Sequence, residues 1–361
     1  VDAVVVNTGS SSVRLSRWRI EGSVRTRTAQ VHFKQRDVPP AEALHRLGDE
    51  EPELVAHRVV HGGLKLVAPV VIDRFVEAEI ERLAPLAPLH NPAALRWMNA
   101  ARDAFGKNVL QVAVFDTAFF AQLPEAARTY ALPKELNQRL GLRRFGFHGL
   151  AHQAMWRAWC AARPDLPQGG RLITLQLGSG CSAAAIYKGL PLDTSMGFSP
   201  LEGLVMATRG GDLDPGLLLY VQKAAGMSRS DLEDLLSQRS GLAGLAGHDG
   251  DLRAILADAS EATRKAVDVY CHRARKYVGA YLAVLGGVDG ILFGGGVGEH
   301  QAEIRARILG DMEWAGIQID GAKNQRLSGA SGAISGGTVD VRVVVVDEAA
   351  VILEEALTAQ R

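Results

Sequence analysis

Three cysteines in 361 residues, Cys160, Cys181 and Cys271, form no C-x-x-C pair, so neither a disulfide framework nor a structural zinc site is indicated, and a reducing compartment is expected. Charge of one sign is also missing. Lys plus Arg equals Asp plus Glu at 40 each, which leaves no global field to draw nucleic acid or anionic lipid. No apolar run is long enough to span a bilayer, and the opening "VDAVVVNTGSSS" lacks the basic region and cleavage pattern of a signal peptide. G-x-x-x-x-G-K-[ST] is absent and "FGGGVGEH" fails G-x-G-x-x-G, so a phosphate site here is neither a P-loop nor a dinucleotide fold. No low-complexity linker interrupts the chain. A small-molecule partner fits this composition.

What is present is 47% apolar residues in a length that exceeds one ordinary core, so two domains are expected. "AVVVNTG", "SSSVRLSRWRI" and "VRTRTAQVHFK" read as a β-meander. From "RLITLQLGSG" the plan restarts, with "CSAAAIYKG" and "LPLDTS" as the second and third strands. Two copies of one layout indicate a duplicated domain rather than a solenoid. Further strands are expected at "LVAHRVVHGG", "VLQVAVFDTAFF" and "GILFGGG", with helices around "PPAEALHRL", through 80–104, at 217–225, 229–236, 261–285 and 301–309, and after a last strand in "VDVRVVVVDEAAVILEEAL".

The turns "NTGSSS" and "LGSGCS" put small residues and hydroxyls where successive backbone N–H groups converge on an anion. One such turn is ordinary hairpin chemistry, but two at matching places suggest paired phosphate cradles facing across a cleft. Arg58 and Arg209 neighbour glycines, where a guanidinium can reach phosphate oxygens in bidentate fashion, although a lone arginine is more often a solvated surface residue. Asp116 ends a strand, the position from which α/β proteins project a carboxylate into a site, or else caps the next segment. "HNP" reads as a turn with His90 or Asn91 as helix cap, and Asp251 in "GDLR" as another cap. His148 and His152, four apart, could share a helical face for a metal, but no H-E-x-x-H pattern or third ligand supports zinc.

Taken together, "NTGSSS", "HRVVHGG", "APLHNP", "VFDTAF", "RRFGFHG", "LGSGCS", "DTSMGFSPLEGL", "TRGGDLDP", "GDLR" and "GGGVGE", in that order, resemble the acetate kinase family of the actin-like ATPase superfamily. The resemblance runs from Asn7 to Glu348. It implies an α/β fold of duplicated actin-like (ribonuclease H-like) domains, with mixed sheets flanked by helices. Residues 1–142 with the C-terminal helix 349–361 would form one domain, and 143–348 a second that carries the nucleotide pocket. It further implies a cytoplasmic homodimer with ATP or ADP as substrate and Mg2+, or Mn2+, as cofactor.

By the same resemblance, Asn7 and Glu348 together with Asp116 position the metal and the acyl-phosphate oxygens. Arg58, His148 and Arg209 surround the phosphoryl group, whose loose transition state spreads charge over equatorial oxygens. Val60, Leu89, Phe147 and Pro200 match the apolar pocket for the acyl methyl, with His90 nearby. Ser10, Ser12, Gln176, Ser179 and Gly180 match the nucleotide-phosphate contacts, and Asp251, Arg253 and Gly296 the adenosine pocket. The acceptor is a carboxylate and needs no general base. Acetate is the expected acceptor, with propionate next, since one methylene is worth only about 1–3 kcal/mol of discrimination.

Departures concentrate in the second hairpin. Gln176 stands where the family has His and Ser179 where it has Asn, so a cationic contact becomes a neutral one at a cost of about 1.5–3 kcal/mol. Phe120, His300, Asp347 and Ala349 also differ from the usual residues. Reduced or shifted activity is expected, and a pyrophosphate- or phosphate-dependent acyl-phosphate enzyme and a nucleotide-binding regulator on the same scaffold remain alternatives.

Overall fold

The computed structural model describes residues 1–9, 12–34, 38–48, 50–88 and 90–359. Ser10 and Leu89, both expected in the site, lie outside them. The chain divides into two compact units, Val1–Ala121 with Phe147–Ala154 and Asp347–Arg361, and Gln122–Gly146 with Met155–Val346.

The first unit is built on a six-stranded sheet in the order β3-β2-β1-β4-β6-β5. β1 (Asp2–Thr8), β2 (Val13–Glu21) and β3 (Val24–Phe33) form the antiparallel meander. β4 (Leu54–Val59) and β6 (Leu110–Phe115) then add in parallel to β1, and β5 (Val70–Val71) closes the edge antiparallel to β6. The central strands are apolar runs because parallel strands are covered on both faces. One face packs Val4, Val6, Leu15 and Val55 against Leu44, Trp97 and Phe105. Another cluster joins Val59, Ala113 and Phe115 to Ile80, Ala94 and Met98. β3 instead alternates half-buried and exposed positions, as "VRTRTAQVHF" at a sheet edge must.

The second unit repeats the plan, with the order β11-β12-β10-β7-β8-β9. β7 (Arg171–Leu177), β8 (Cys181–Tyr187) and β9 (Leu190–Thr194) are the meander, and β10 (Gly290–Gly294) and β12 (Asp340–Val343) continue it in parallel from β7. β11 (Gly332–Ala333) pairs antiparallel with β12. The expected duplicated α/β architecture with mixed sheets is therefore present.

The helix at Glu261–Leu285 has the expected ends. Ser260 caps its first turn by accepting from Thr263 N–H, and Gly286 leaves it in the left-handed conformation. Two local expectations are corrected. Neither His90 nor Asn91 caps the Asn91–Phe105 helix; the fully buried Asn91 amide instead accepts from His61 N–H and donates to the carbonyls of His61 and Ile80. His148 and His152 do not share a helical face, because His148 precedes the Gly149–Ala162 helix with a φ of 57°.

Candidate active-site clusters and family

In the first unit three adjacent parallel strands end side by side, and each delivers one polar residue. Asn7 comes from β1, Arg58 from β4, and Asp116 follows β6. Asp347 caps the Glu348–Thr358 helix by accepting from Ala350 N–H, which fixes Glu348 in its first turn. The carboxyl ends of such strands are where α/β folds place their ligand sites.

Arg58 organises this cluster. Its Nη2 donates to Asp116 Oδ2 at 2.6 Å, with Nε 3.2 and 3.3 Å from the two carboxylate oxygens. Its Nη1 donates to Asn7 Oδ1 at 3.0 Å and to Glu348 Oε2 at 3.4 Å, while Asn7 Nδ2 reaches the same Glu348 oxygen at 2.8 Å. Arg58 is 8% and Asp116 1% exposed. Burial opposes the guanidinium's charge, but Asp116 and Glu348 outweigh it and hold its pKa above the usual range. Burial pushes the Asp116 carboxyl up against the pull of Arg58. For Glu348 burial works in the same direction, yet Arg58 and the Asn7 amide prevail and hold it low.

With one guanidinium and two carboxylates, the cluster keeps one formal negative charge in excess. No group of three His, Cys, Asp or Glu side chains suited to a metal occurs among the described residues. A hard oxygen set of Asn7, Asp116 and Glu348 fits magnesium, which ordinarily binds one or two carboxylates and takes its remaining ligands from water and phosphate.

His148 reaches this neighbourhood because the Gly149–Ala162 helix starts against Asp116. A Cβ at Gly149 would lie 2.0 Å from the Asp116 carbonyl oxygen, so only glycine permits the approach. The Leu150 backbone hydrogen-bonds the Asp116 carboxylate. His152, inside the helix, is fully buried with its ring edge against Phe120, and burial, with His148 nearby, brings its pKa down to about 3. Val60 and Phe147 are buried, and Phe147 packs on the His61 ring at 5.7 Å. Ser12 closes the first hairpin by accepting Gly9 N–H at 2.8 Å.

The second unit holds a cavity of about 690 Å³ lined by Ser179, Asp251, Arg253 and Gly296, which brings together four of the expected nucleotide residues. Asp251 does cap its helix, accepting from Arg253 N–H, and also pairs with the Arg253 guanidinium at 3.0 Å. Gln176 and Gly180 do not line the cavity. Gln176 lies against the Gly294–Gly295 backbone, its Oε1 buried without a hydrogen-bond partner. Sequence reasoning missed Tyr270 and Ala207 in the cavity wall. Tyr270 lies on the buried face of a long amphipathic helix, so its periodicity reads as core.

Arg209, the other arginine expected at the phosphoryl group, lies in the second unit outside any strand or helix. Its Nη1 donates to the Pro200 carbonyl at 2.7 Å, and no carboxylate among the described residues pairs with it. Burial lowers its pKa, with only Cys181 acting in the other direction.

The Acetokinase family model matches residues 41–354. The chain is 46% identical over 318 residues to an acetate kinase of Clavibacter michiganensis subsp. michiganensis, covering 87% of this chain and 80% of that one. It superposes on the crystal structure of Porphyromonas gingivalis acetate kinase with a TM-score of 0.88 at 35% identity, over 100% of both chains. A propionate kinase from Francisella tularensis is also similar, with a TM-score of 0.87 at 29% identity over 99% of both chains. The chain belongs to the acetate kinase (acetokinase) family.

Proposed function

We propose that the protein is an acetate kinase that transfers the γ-phosphoryl group of ATP directly to acetate, reversibly, giving acetyl phosphate and ADP. The observation that carries this reading is Arg209, a half-buried guanidinium with a neutral carbonyl as its hydrogen-bond partner and no carboxylate paired with it among the described residues. A partly desolvated cation with no counter-charge is well placed to pair with an incoming anion. Phosphoryl oxygens are such an anion, and the cavity lined by Ser179, Asp251, Arg253 and Gly296 suits a nucleotide better than a bare pyrophosphate.

In the transfer, a carboxylate oxygen of acetate attacks the γ-phosphorus in line as the bond to the β-phosphate oxygen breaks. The acceptor is already ionised at neutral pH, so no side chain need remove a proton. Arg209 and His148 act on the equatorial oxygens, and Arg58, held ionised by Asp116 and Glu348, lends its positive charge and its one uncommitted Nη2 N–H to the acyl phosphate. Asn7, Asp116 and Glu348 would hold magnesium, which would supply positive charge to offset that of the phosphates. Val60, Phe147 and Pro200 would shape the methyl pocket.

The working form is proposed to be a cytoplasmic homodimer. The apolar helix Pro215–Ala224 supports this, since it buries no residue, and Leu219 and Tyr220 are both 70% exposed. Hydroxylamine trapping of the acyl phosphate, with kcat/KM ranked for acetate, propionate and butyrate, tests the substrate. Acetate should lead. A lead for propionate would move the assignment to propionate kinase, and no hydroxamate from any short acid would end the kinase reading.

A further inference from the structure

The tip of the β7–β8 hairpin, Gly178-Ser179-Gly180, has each of its backbone carbonyls engaged. Gly180 O accepts Gly178 N–H at 3.0 Å, and Ser179 O accepts Ala207 N–H at 3.0 Å. The remaining carbonyl is taken by a side chain, for the Cys181 thiol donates to Gly178 O at 3.3 Å. Among the described residues nothing accepts from the N–H of Ser179 or Gly180. Two successive open N–H groups beside engaged carbonyls favour an anionic ligand, and Gly178 and Ser179 line the cavity of about 690 Å³.

The thiol is itself held. Cys181 Sγ lies 3.3 Å from the Tyr270 hydroxyl, and because the single thiol proton goes to Gly178, the tyrosine is the donor at this contact. Tyr270 belongs to the Glu261–Leu285 helix and lines the same cavity, so a relay runs from that helix through Cys181 to the hairpin tip. Cys181 is fully buried and Tyr270 3% exposed, and burial raises the pKa of both groups, which keeps both protons in the relay. The Gly178 carbonyl and the Ser179 N–H belong to one planar trans peptide and point in opposite directions, so fixing the first aims the second. Ala207 does the same for the next peptide, Ser179 O with Gly180 N–H.

We infer that Cys181 and Tyr270 are positioning residues for the nucleotide phosphates, their relay engaging the Gly178 carbonyl and so holding the Ser179 N–H open to the incoming anion. The inference rests on the proposed function only in taking that anion to be the phosphates of ATP or ADP. Without the thiol, the Gly178 carbonyl and the Tyr270 hydroxyl each lose a partner, and the Gly178–Ser179 peptide is no longer held with its N–H outward. A hydroxyl in place of the thiol can still donate to the one and accept from the other, which a pure packing role for the sulfur would not require.

The test uses the full chain with two readouts, affinity for ADP and for inorganic pyrophosphate by calorimetry, and the hydroxamate assay. Cys181→Ala should weaken binding of both by about tenfold, and should raise the KM for ATP more than that for acetate. Cys181→Ser should recover most of the loss. Tyr270→Phe, which cuts the relay at its far end, should give a smaller loss in the same direction, and adding it to Cys181→Ala should cost nothing further. If Cys181→Ala does not fold, weakened binding in Tyr270→Phe beside retained binding in Cys181→Ser carries the comparison. Unchanged affinities in Cys181→Ala or Tyr270→Phe, a Cys181→Ser variant as weak as Cys181→Ala, a further loss in the double variant, or an equal rise in both KM values overturns the inference. Hydroxamate formation that is absent from the wild type, alongside affinities in the expected order, would remove the kinase reading and leave the relay standing.

Discussion

Asp116→Asn isolates what the Arg58 cluster contributes, because the change removes a charge while keeping the shape. Asp116 is 1% exposed and meets Arg58 through three contacts of 2.6–3.3 Å, so solvent does little to screen the pair. Breaking a buried pair outright costs about 3–5 kcal/mol. Here the guanidinium retains Glu348 and Asn7, and the asparagine oxygen can still accept from Arg58, so the expected loss is smaller, about 2–3 kcal/mol. For a unit of this size that lowers Tm by about 5–10 °C. The cluster's excess negative charge also disappears, so the magnesium concentration for half-maximal rate should rise and kcat should fall about a hundredfold. Thermal unfolding, a magnesium titration and the hydroxamate assay read the three quantities. A Tm within about 2 °C of wild type together with unchanged kcat would refute the idea that Arg58–Asp116 organises the site.

Arg209→Met should separate function from stability: kcat/KM falls about 10²–10³-fold, while Tm stays close to wild type, because the half-buried guanidinium pairs with no carboxylate and gives up a single hydrogen bond to the Pro200 carbonyl. A marked fall in Tm would contradict that account. Gln176→His should leave kcat within about twofold of wild type, because the side chain lies against the Gly294–Gly295 backbone and outside the cavity lining; a rise of about tenfold would show that this position does reach the phosphates. Burial lowers His57 and His61 to about 4, so each contributes stability that is complete above its ordinary value of 6.5 and is lost as pH falls toward 4. Stability should therefore fall by about 1.4 kcal/mol per pH unit for each such histidine across that window, and His57→Gln, measured by urea unfolding, should flatten the slope.

Much of the architecture was legible because it rests on short-range signals. The two meanders announce themselves by apolar runs broken at "NTGSSS" and "LGSGCS", and the Glu261–Leu285 helix by Ser260 and Gly286 at its ends. The positions of Asn7, Arg58 and Asp116 at strand ends follow from the same pattern, and Glu348 opening the last helix completes a cluster whose members are hundreds of residues apart in the chain. Other features depend on contacts that sequence spacing does not encode. Asn91 looks like a helix cap but bridges the His61 turn, 30 residues away. Gln176 reads as a phosphate contact from its place in the hairpin, yet its side chain lies against Gly294 and Gly295 and outside the cavity lining. The pairing of Glu202 with Tyr130 and Arg144 is invisible because the partners lie 72 and 58 residues away in the chain.

The central claim is a direct transfer between ATP and acetate, and phosphorus NMR of the wild-type protein with ATP, acetate and magnesium tests it most directly. The γ-phosphate resonance should decline as acetyl phosphate and ADP grow in equal amounts, and acetyl phosphate added to ADP should run the reaction backwards. Release of inorganic phosphate without acetyl phosphate, or no loss of ATP, would contradict it.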